Sequence, residues 1–286
     1  MGLIGLFLLV RALPALRVAG FSFIYQTLWR PDAPKPVFGI AAVMVGTIVI
    51  AVIALAIAVP LSVATALFLT EYAPRSVRRP LGSLIDLLAA VPSLIFGMWG
   101  YFFLQPKMLG LSRWLSVYLH FLPIFKVRSS NFLSSSPFIA GTVVSLMVVP
   151  ICTSVMREVF SQTPPFEKEG ALALGATRWG MIRTVVLPFG RGGIIGGSML
   201  GLGRALGETI AVAIIISPTF VITPRVLETG GNSVASLIAL RFGQAKQLEL
   251  SALMAAGLML FIVTLGVNML ASFVVGRSRS GKGVEI

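Results

Sequence analysis

Four stretches of this chain, Pro36 to Thr70, Leu87 to Pro106, Ser129 to Met156 and Leu250 to Gly276, contain no charged side chain at all. A helix of about 20 apolar residues crosses a hydrocarbon core about 30 Å thick, so each stretch reads as a transmembrane helix. A fifth span, 192 to 217, is apolar except for Arg204 and Glu208. A sixth, Met1 to about Leu16, is short and carries Arg11. It reads as a clipped first span rather than a signal peptide, because no small-residue cleavage site leads into a soluble domain. With 56% hydrophobic and 12% charged residues and a mean hydropathy of +0.94, the chain has too little polar surface for a soluble protein of its length. The expectation is an all-α polytopic membrane protein with six transmembrane helices, the first short, forming a single domain over residues 1–286 with membrane lipid around it.

The formal net charge of +13 invites a nucleic-acid reading, but the basic residues follow the spans. Eleven of the 23 fall in segments 71–82, 157–191 and 276–286, and ten are spread over the longer segments 17–37, 105–136 and 218–250. Lys and Arg near span ends are retained on the cytoplasmic side, which places both termini inside and makes nucleic acid an unneeded partner. Cys152 is alone inside a span, and His120 is alone, so no disulfide, metal or cofactor site is expected. The run GRSRSGKG at 276–283 spaces its residues like a phosphate-binding loop. It lacks the Ser or Thr for magnesium and follows no strand, so it reads as a basic tail. Segment 17–37, with Tyr25, Trp29 and three prolines, suits an interfacial loop. Pro60 in the second span kinks the helix or divides off a cytoplasmic extension. Glu71 and Asp86, at span ends beside arginines, read as solvated or snorkelling.

Arg204 and Glu208 are the costly residues. If the fifth span enters the bilayer near Gly192, Arg204 lies about 18 Å along it, close to the bilayer centre. An ionised group at that depth marks a polar pathway unless it is paired. A guanidinium stays charged there, and its fork matches phosphate oxygens. Glu208, at i+4, falls on the same face of a continuous helix, where it could neutralise Arg204 or accept a hydrogen bond from a protonated phosphate oxygen. Thr209 joins them as a pathway residue. The alternative is an ion pair that only fixes helix packing. Gly193, Gly197 and Gly201, and separately Gly203 and Gly207, repeat at four-residue spacing, which admits a close neighbouring helix. With no internal duplication in the chain, that neighbour is expected on a second subunit.

The segment REVFSQTPPFEKEGALALGATRWGMIRTVVLPFGR, 157–191, is too helical for a plain connector. Thr163-Pro164-Pro165 starts a helix, with Glu167 and Glu169 in its first turns. Gly175 stops it, and a second run from about Thr177 reaches Leu187 before Pro188 breaks it. An amphipathic segment on the headgroups is the alternative to a rigid two-helix protrusion.

Glu169, Gly170, Ala171, Gly175, Val185, Leu187 and Pro188 resemble the EAA loop of ABC importer permeases, and the resemblance implies an ATPase-coupling role for them together with Leu174. Gly170 stands where the motif's first alanine is usual. AAVPSLIFGMWG, EGALALGATRW, GLGRALGETIAV and PALRVAGFSF are similar to the C-type permease subunits of phosphate-specific importers, and the likeness covers essentially the whole chain. It departs at the beginning, where that family has a fuller first span. The resemblance implies a type I ABC importer permease fold. It implies a cytoplasmic coupling loop at 158–191, a cytoplasmic ATPase dimer, an A-type second permease in a heterodimer and an extracytoplasmic phosphate-binding protein, all in the inner membrane. This chain would then not be an enzyme. An A-type sister subunit, a permease for another oxyanion and an ion-coupled secondary transporter remain as alternatives.

Overall fold

The computed structural model describes residues 2–128 and 133–276; the basic tail beyond Gly276 lies outside the described residues. Helix α1 (Gly2–Ala19) and the short α2 (Ser22–Tyr25) lead to a hairpin of two-residue strands, β1 (Trp29–Arg30) and β2 (Val37–Phe38), with Trp29 opposite Phe38. Then come α3 (Ala41–Leu67), α4 (Arg75–Ala89), α5 (Ser93–Trp99), α6 (Gln105–Tyr118) and α7 (Pro137–Ser161). The chain continues with α8 (Pro165–Ala173), α9 (Arg178–Met181), α10 (Leu187–Phe189), α11 (Arg191–Gly207), α12 (Ile210–Ile215), α13 (Val234–Arg241) and α14 (Gln247–Gly276). Wider π-helical turns at Phe68–Tyr72, Gly100–Leu104 and Ile182–Val186 follow α3, α5 and α9.

Gly2–Ala19, Ala41–Tyr72, Pro137–Ser161 and Gln247–Leu270 are long and apolar enough to cross a membrane. The broken pairs Ser76–Ala89 with Ser93–Tyr118, and Arg178–Phe189 with Arg191–Gly207, bring the count to six if each is one span. The first helix is 18 residues long, about 27 Å at the helical rise. α3 stays continuous through Pro60, and with the turn after it the helix runs 32 residues to Tyr72, about 48 Å at the helical rise and longer than a hydrocarbon core of about 30 Å. The 105–136 segment is less of a loop than its mixed composition suggests. Helix α6 runs to Tyr118 and continues directly from the π-helical turn Gly100–Leu104, with Pro106 as its second residue.

Two compact units are built from interleaved segments: the chain to Ala54 with Pro92–Val144 and Ala205–Leu265, and Leu55–Val91 with Ser145–Arg204 and the chain from Gly266. The core of the first gathers Phe23, Trp29 and Phe38 with Val234 and Leu237 of α13 and Ala252, Leu253 and Ala256 of α14. Trp29 is therefore a core residue, contrary to the interfacial expectation. Its ring lies edge-on to Phe38 at 6.2 Å, and its Nε1 donates to buried Glu249 at 3.1 Å. An indole buries much apolar area only where its N–H finds an acceptor, and the carboxylate in the first turn of α14 supplies one. Buried Ala12 and Ala15 on α1 are part of the same core. Beside Pro14, the Ser251 hydroxyl inserts into the α1 ladder, donating to the Arg11 carbonyl at 2.7 Å and accepting from the Ala15 amide at 3.0 Å. The opposite face of α1 leaves Leu6, Phe7, Val10 and Val18 exposed.

In the second unit α3, α7 and α11 pack closely. The Ser62 hydroxyl on α3 donates to the Val149 carbonyl of α7 at 3.1 Å, and the Cys152 thiol on α7 donates to the Gly197 carbonyl of α11 at 3.1 Å. This unit also carries the loop from α8 to α10, which ends in a 65° bend onto α11.

Candidate functional site: an arginine cavity and a two-helix loop

Arg204 sits three residues before the end of α11, where a cation is favoured by the helix dipole. It lines a cavity of about 270 Å³ with Ile151, Met199, Leu200, Gly203 and Asn268. Its Nε is buried without a hydrogen-bond partner, and no ion pair among the described residues includes it. Apart from the guanidinium and Asn268, the cavity wall is apolar. A permanently charged fork in such a wall favours an anion with several oxygens.

The fifth span, expected from the sequence as one continuous helix, is broken. α11 stops at Gly207, Glu208 and Thr209 lie in a break, and α12 begins at Ile210. Buried Glu208 accepts from the Ala211 amide at 3.3 Å, so its carboxylate caps the start of α12. The Thr209 hydroxyl donates to the Gly207 carbonyl at 3.0 Å, pairing one of the acceptors the break sets free. Across this interruption Glu208 and Arg204 are not one helical turn apart on a common face. The signal for the break is Gly207 followed by two residues whose side chains compete for backbone partners.

The glycine row on α11 faces α7 of the same chain. A Cβ on Gly193 would lie 2.6 Å from Val159 Cβ, one on Gly197 3.2 Å from the Cys152 carbonyl oxygen, and one on Gly201 2.6 Å from Cys152 Sγ and 2.7 Å from Val148 Cγ1. These three therefore meet an intramolecular neighbour, where the sequence pattern suggested a partner subunit. Gly203 and Gly207 have nothing within 4 Å. Gly201→Val is expected to cost about 1–3 kcal/mol by overpacking, whereas Gly203→Ala, inside the helix and with nothing within 4 Å, should leave stability unchanged or raise it by up to about 1 kcal/mol. Thermal unfolding in detergent checks both, and equal melting temperatures for the two variants would refute the packing difference.

The 158–191 segment forms two helical runs. α8 follows Pro164, and Gly175, with φ +87°, turns the chain after it. Thr177 caps α9 by accepting from the Gly180 amide at 3.1 Å. The second run does not stop at Pro188. The preceding π-helical turn shifts the hydrogen-bond register, Pro188 falls in the first turn of α10, and the helix ends at Gly190. Glu169 and Gly170 are exposed, as are Phe166 at 84%, Leu174 at 91% and Trp179 at 57%. These exposed apolar side chains lie on the segment that follows α7.

Broken and unbroken apolar helices, a half-buried arginine whose Nε has no partner and a two-helix loop with exposed apolar side chains fit the membrane subunit of a transporter. Residues 58–280 match the family described as binding-protein-dependent transport system inner membrane component. The chain belongs to this family, whose members work with a binding protein, a second permease and a separate ATPase; the chain itself is a multi-pass permease, not an enzyme. It is 44% identical over 282 residues to the phosphate transport system permease protein PstC 2 of Mycobacterium tuberculosis, covering 98% of this chain and 87% of that one. It is 44% identical over 271 residues to PstC of Xylella fastidiosa, covering 94% and 83%. A bacterial ABC transporter involved in alginate import aligns with TM-score 0.59 at 20% identity, over 82% of this chain and 78% of that one. The fold is that of the type I ABC importer permeases.

Proposed function

We propose that this chain is the C-type permease subunit of an ATP-driven phosphate importer of the cytoplasmic membrane. It would pair with an A-type permease, carry both termini in the cytoplasm and receive phosphate from an extracytoplasmic binding protein. Relatives named as phosphate permeases at 44% identity support the substrate. The observation that carries the reading is Arg204, a fixed cation with an unpartnered Nε in an apolar cavity. In this reading Arg204 meets the phosphate oxygens, while Glu208 and Thr209 shape the backbone break on the same path. Glu169, Gly170, Ala171, Leu174, Gly175, Leu187 and Pro188 belong to the element gripped by the ATPase, whose closure switches the path between its inward-facing and outward-facing states.

The test is uptake by proteoliposomes holding the whole complex and its binding protein. Phosphate should enter only with internal ATP, should be unaffected by a protonophore, and should withstand about a 100-fold excess of sulfate, which has no proton to donate at neutral pH. Uptake driven by a proton gradient without ATP would instead identify a secondary transporter, and equal competition by sulfate would identify a general oxyanion permease.

A further inference from the structure

Glu71 and Lys168 lie 97 residues apart, on the π-helical turn after α3 and on α8 of the loop, and they form a short ion pair. Lys168 Nζ donates to Glu71 Oε1 at 2.6 Å, with the Glu71 side chain only 7% exposed. The sequence reading of Glu71 as a solvated or snorkelling carboxylate is corrected by this contact. A buried carboxylate is retained only where a counter-charge and a defined geometry hold it, and here the counter-charge comes from the protruding loop.

The same turn receives a second contact from the loop. The Arg178 guanidinium of α9 lies over the Tyr72 ring at 5.5 Å, within the range in which a cation is attracted to an aromatic face. The turn itself is fixed from behind. Its wide register closes with the Ala73 amide on the Phe68 carbonyl at 2.8 Å, and Arg78 Nη2 donates to the Thr70 carbonyl at 2.8 Å. Both helical runs of the loop are thus tied to one five-residue turn that continues α3.

We propose that the Phe68–Tyr72 turn is the receiver through which the loop moves α3, with Glu71–Lys168 as its positioning contact and Arg178–Tyr72 as its second grip. This rests on the reading of 164–188 as the ATPase-docking element. A displacement of α8 pulls on Glu71 through an ion pair too short and too buried to slip. Because the turn continues α3 without a break in backbone hydrogen bonding, the pull is delivered to a helix long enough to cross the membrane.

The experiment measures phosphate uptake and ATP hydrolysis together in proteoliposomes of the full complex. Glu71→Gln and Lys168→Gln should each lower phosphate moved per ATP by at least about fivefold, as loss of a coupling contact implies, while the ATPase still co-purifies. The charge-swapped pair Glu71→Lys with Lys168→Glu should return that ratio to within about twofold of the wild type. A merely structural contact would lower uptake and hydrolysis together and leave the ratio unchanged, which would overturn the proposal; so would single variants that keep a normal ratio, or a swapped pair no better than the singles. The parallel variant Phe166→Asp with Leu174→Asp separates the two levels. If it loses the ATPase while Glu71→Gln stays coupled, only the receiver role fails. If it keeps both ATPase and uptake, the docking reading fails and the receiver role falls with it.

Discussion

Phosphate uptake is expected to fall about 100-fold in Arg204→Ala, with the second permease and the ATPase still co-purifying. Hydrogen bonds to a charged partner contribute about 1.5–3 kcal/mol, and the upper figure corresponds to about two decades in affinity or rate. Arg204→Lys should lose about tenfold, since a point charge replaces only part of a planar fork. The same variants separate the transport role from a packing role. Removing one partner of a buried ion pair destabilises by about 3–5 kcal/mol because the other charge is left uncompensated. Arg204 has no such partner among the described residues and its Nε is already unpaired, so Arg204→Ala should leave the melting temperature unchanged or raise it. Radiolabelled phosphate uptake and thermal unfolding are the two measurements. Near-normal uptake in both variants, with the complex assembled, would end the anion role, and a large drop in melting temperature would place Arg204 in packing instead.

What the sequence reveals follows from how local each interaction is. The long spans are legible because the cost of a charge in lipid is paid residue by residue, so charge-free runs map onto α3, α7 and α14 without knowledge of any neighbour. Helix α8 and its end at Gly175 are equally local, a start signal and a glycine that takes φ +87°. Other features depend on partners distant in the chain. Trp29 looks interfacial until Glu249, 220 residues later, accepts its N–H. Glu71 looks solvated until Lys168 covers it. The glycine spacing on α11 announces a close helix but not which one, and α7 of the same chain fills the place. Periodicity also carries straight across the break at Glu208–Thr209, because Ile210–Ile215 resumes an apolar pattern and the capping carboxylate is visible only in three dimensions. The arginine itself was evident; the apolar cavity around it was not.

Phe166→Asp combined with Leu174→Asp should abolish both ATPase binding and uptake without unfolding the permease. The two side chains are 84% and 91% exposed, so neither contributes to this chain's own core. Exposed apolar residues on a rigid element carry the energy of an interface rather than of a fold, and a central contact contributes about 2 kcal/mol or more to binding. Two such losses, each with a carboxylate forced into a desolvated contact, weaken docking by about three decades if they add. Folding should be spared, because neither side chain lies in the core and an Asp at Leu174, the C-cap of α8, costs only about 0.3–1 kcal/mol against the helix dipole. Gly175→Val should produce a similar loss by another route. It leaves Phe166 and Leu174 in place but strains the φ +87° turn that orients α8 against the second helical run. Co-purification of the ATPase with tagged permease, alongside the melting temperature, reads each variant. If the Asp pair keeps its ATPase, the apolar surface is not what the motor grips. If Gly175→Val keeps it while the Asp pair does not, the grip needs the side chains but not the angle between the helices.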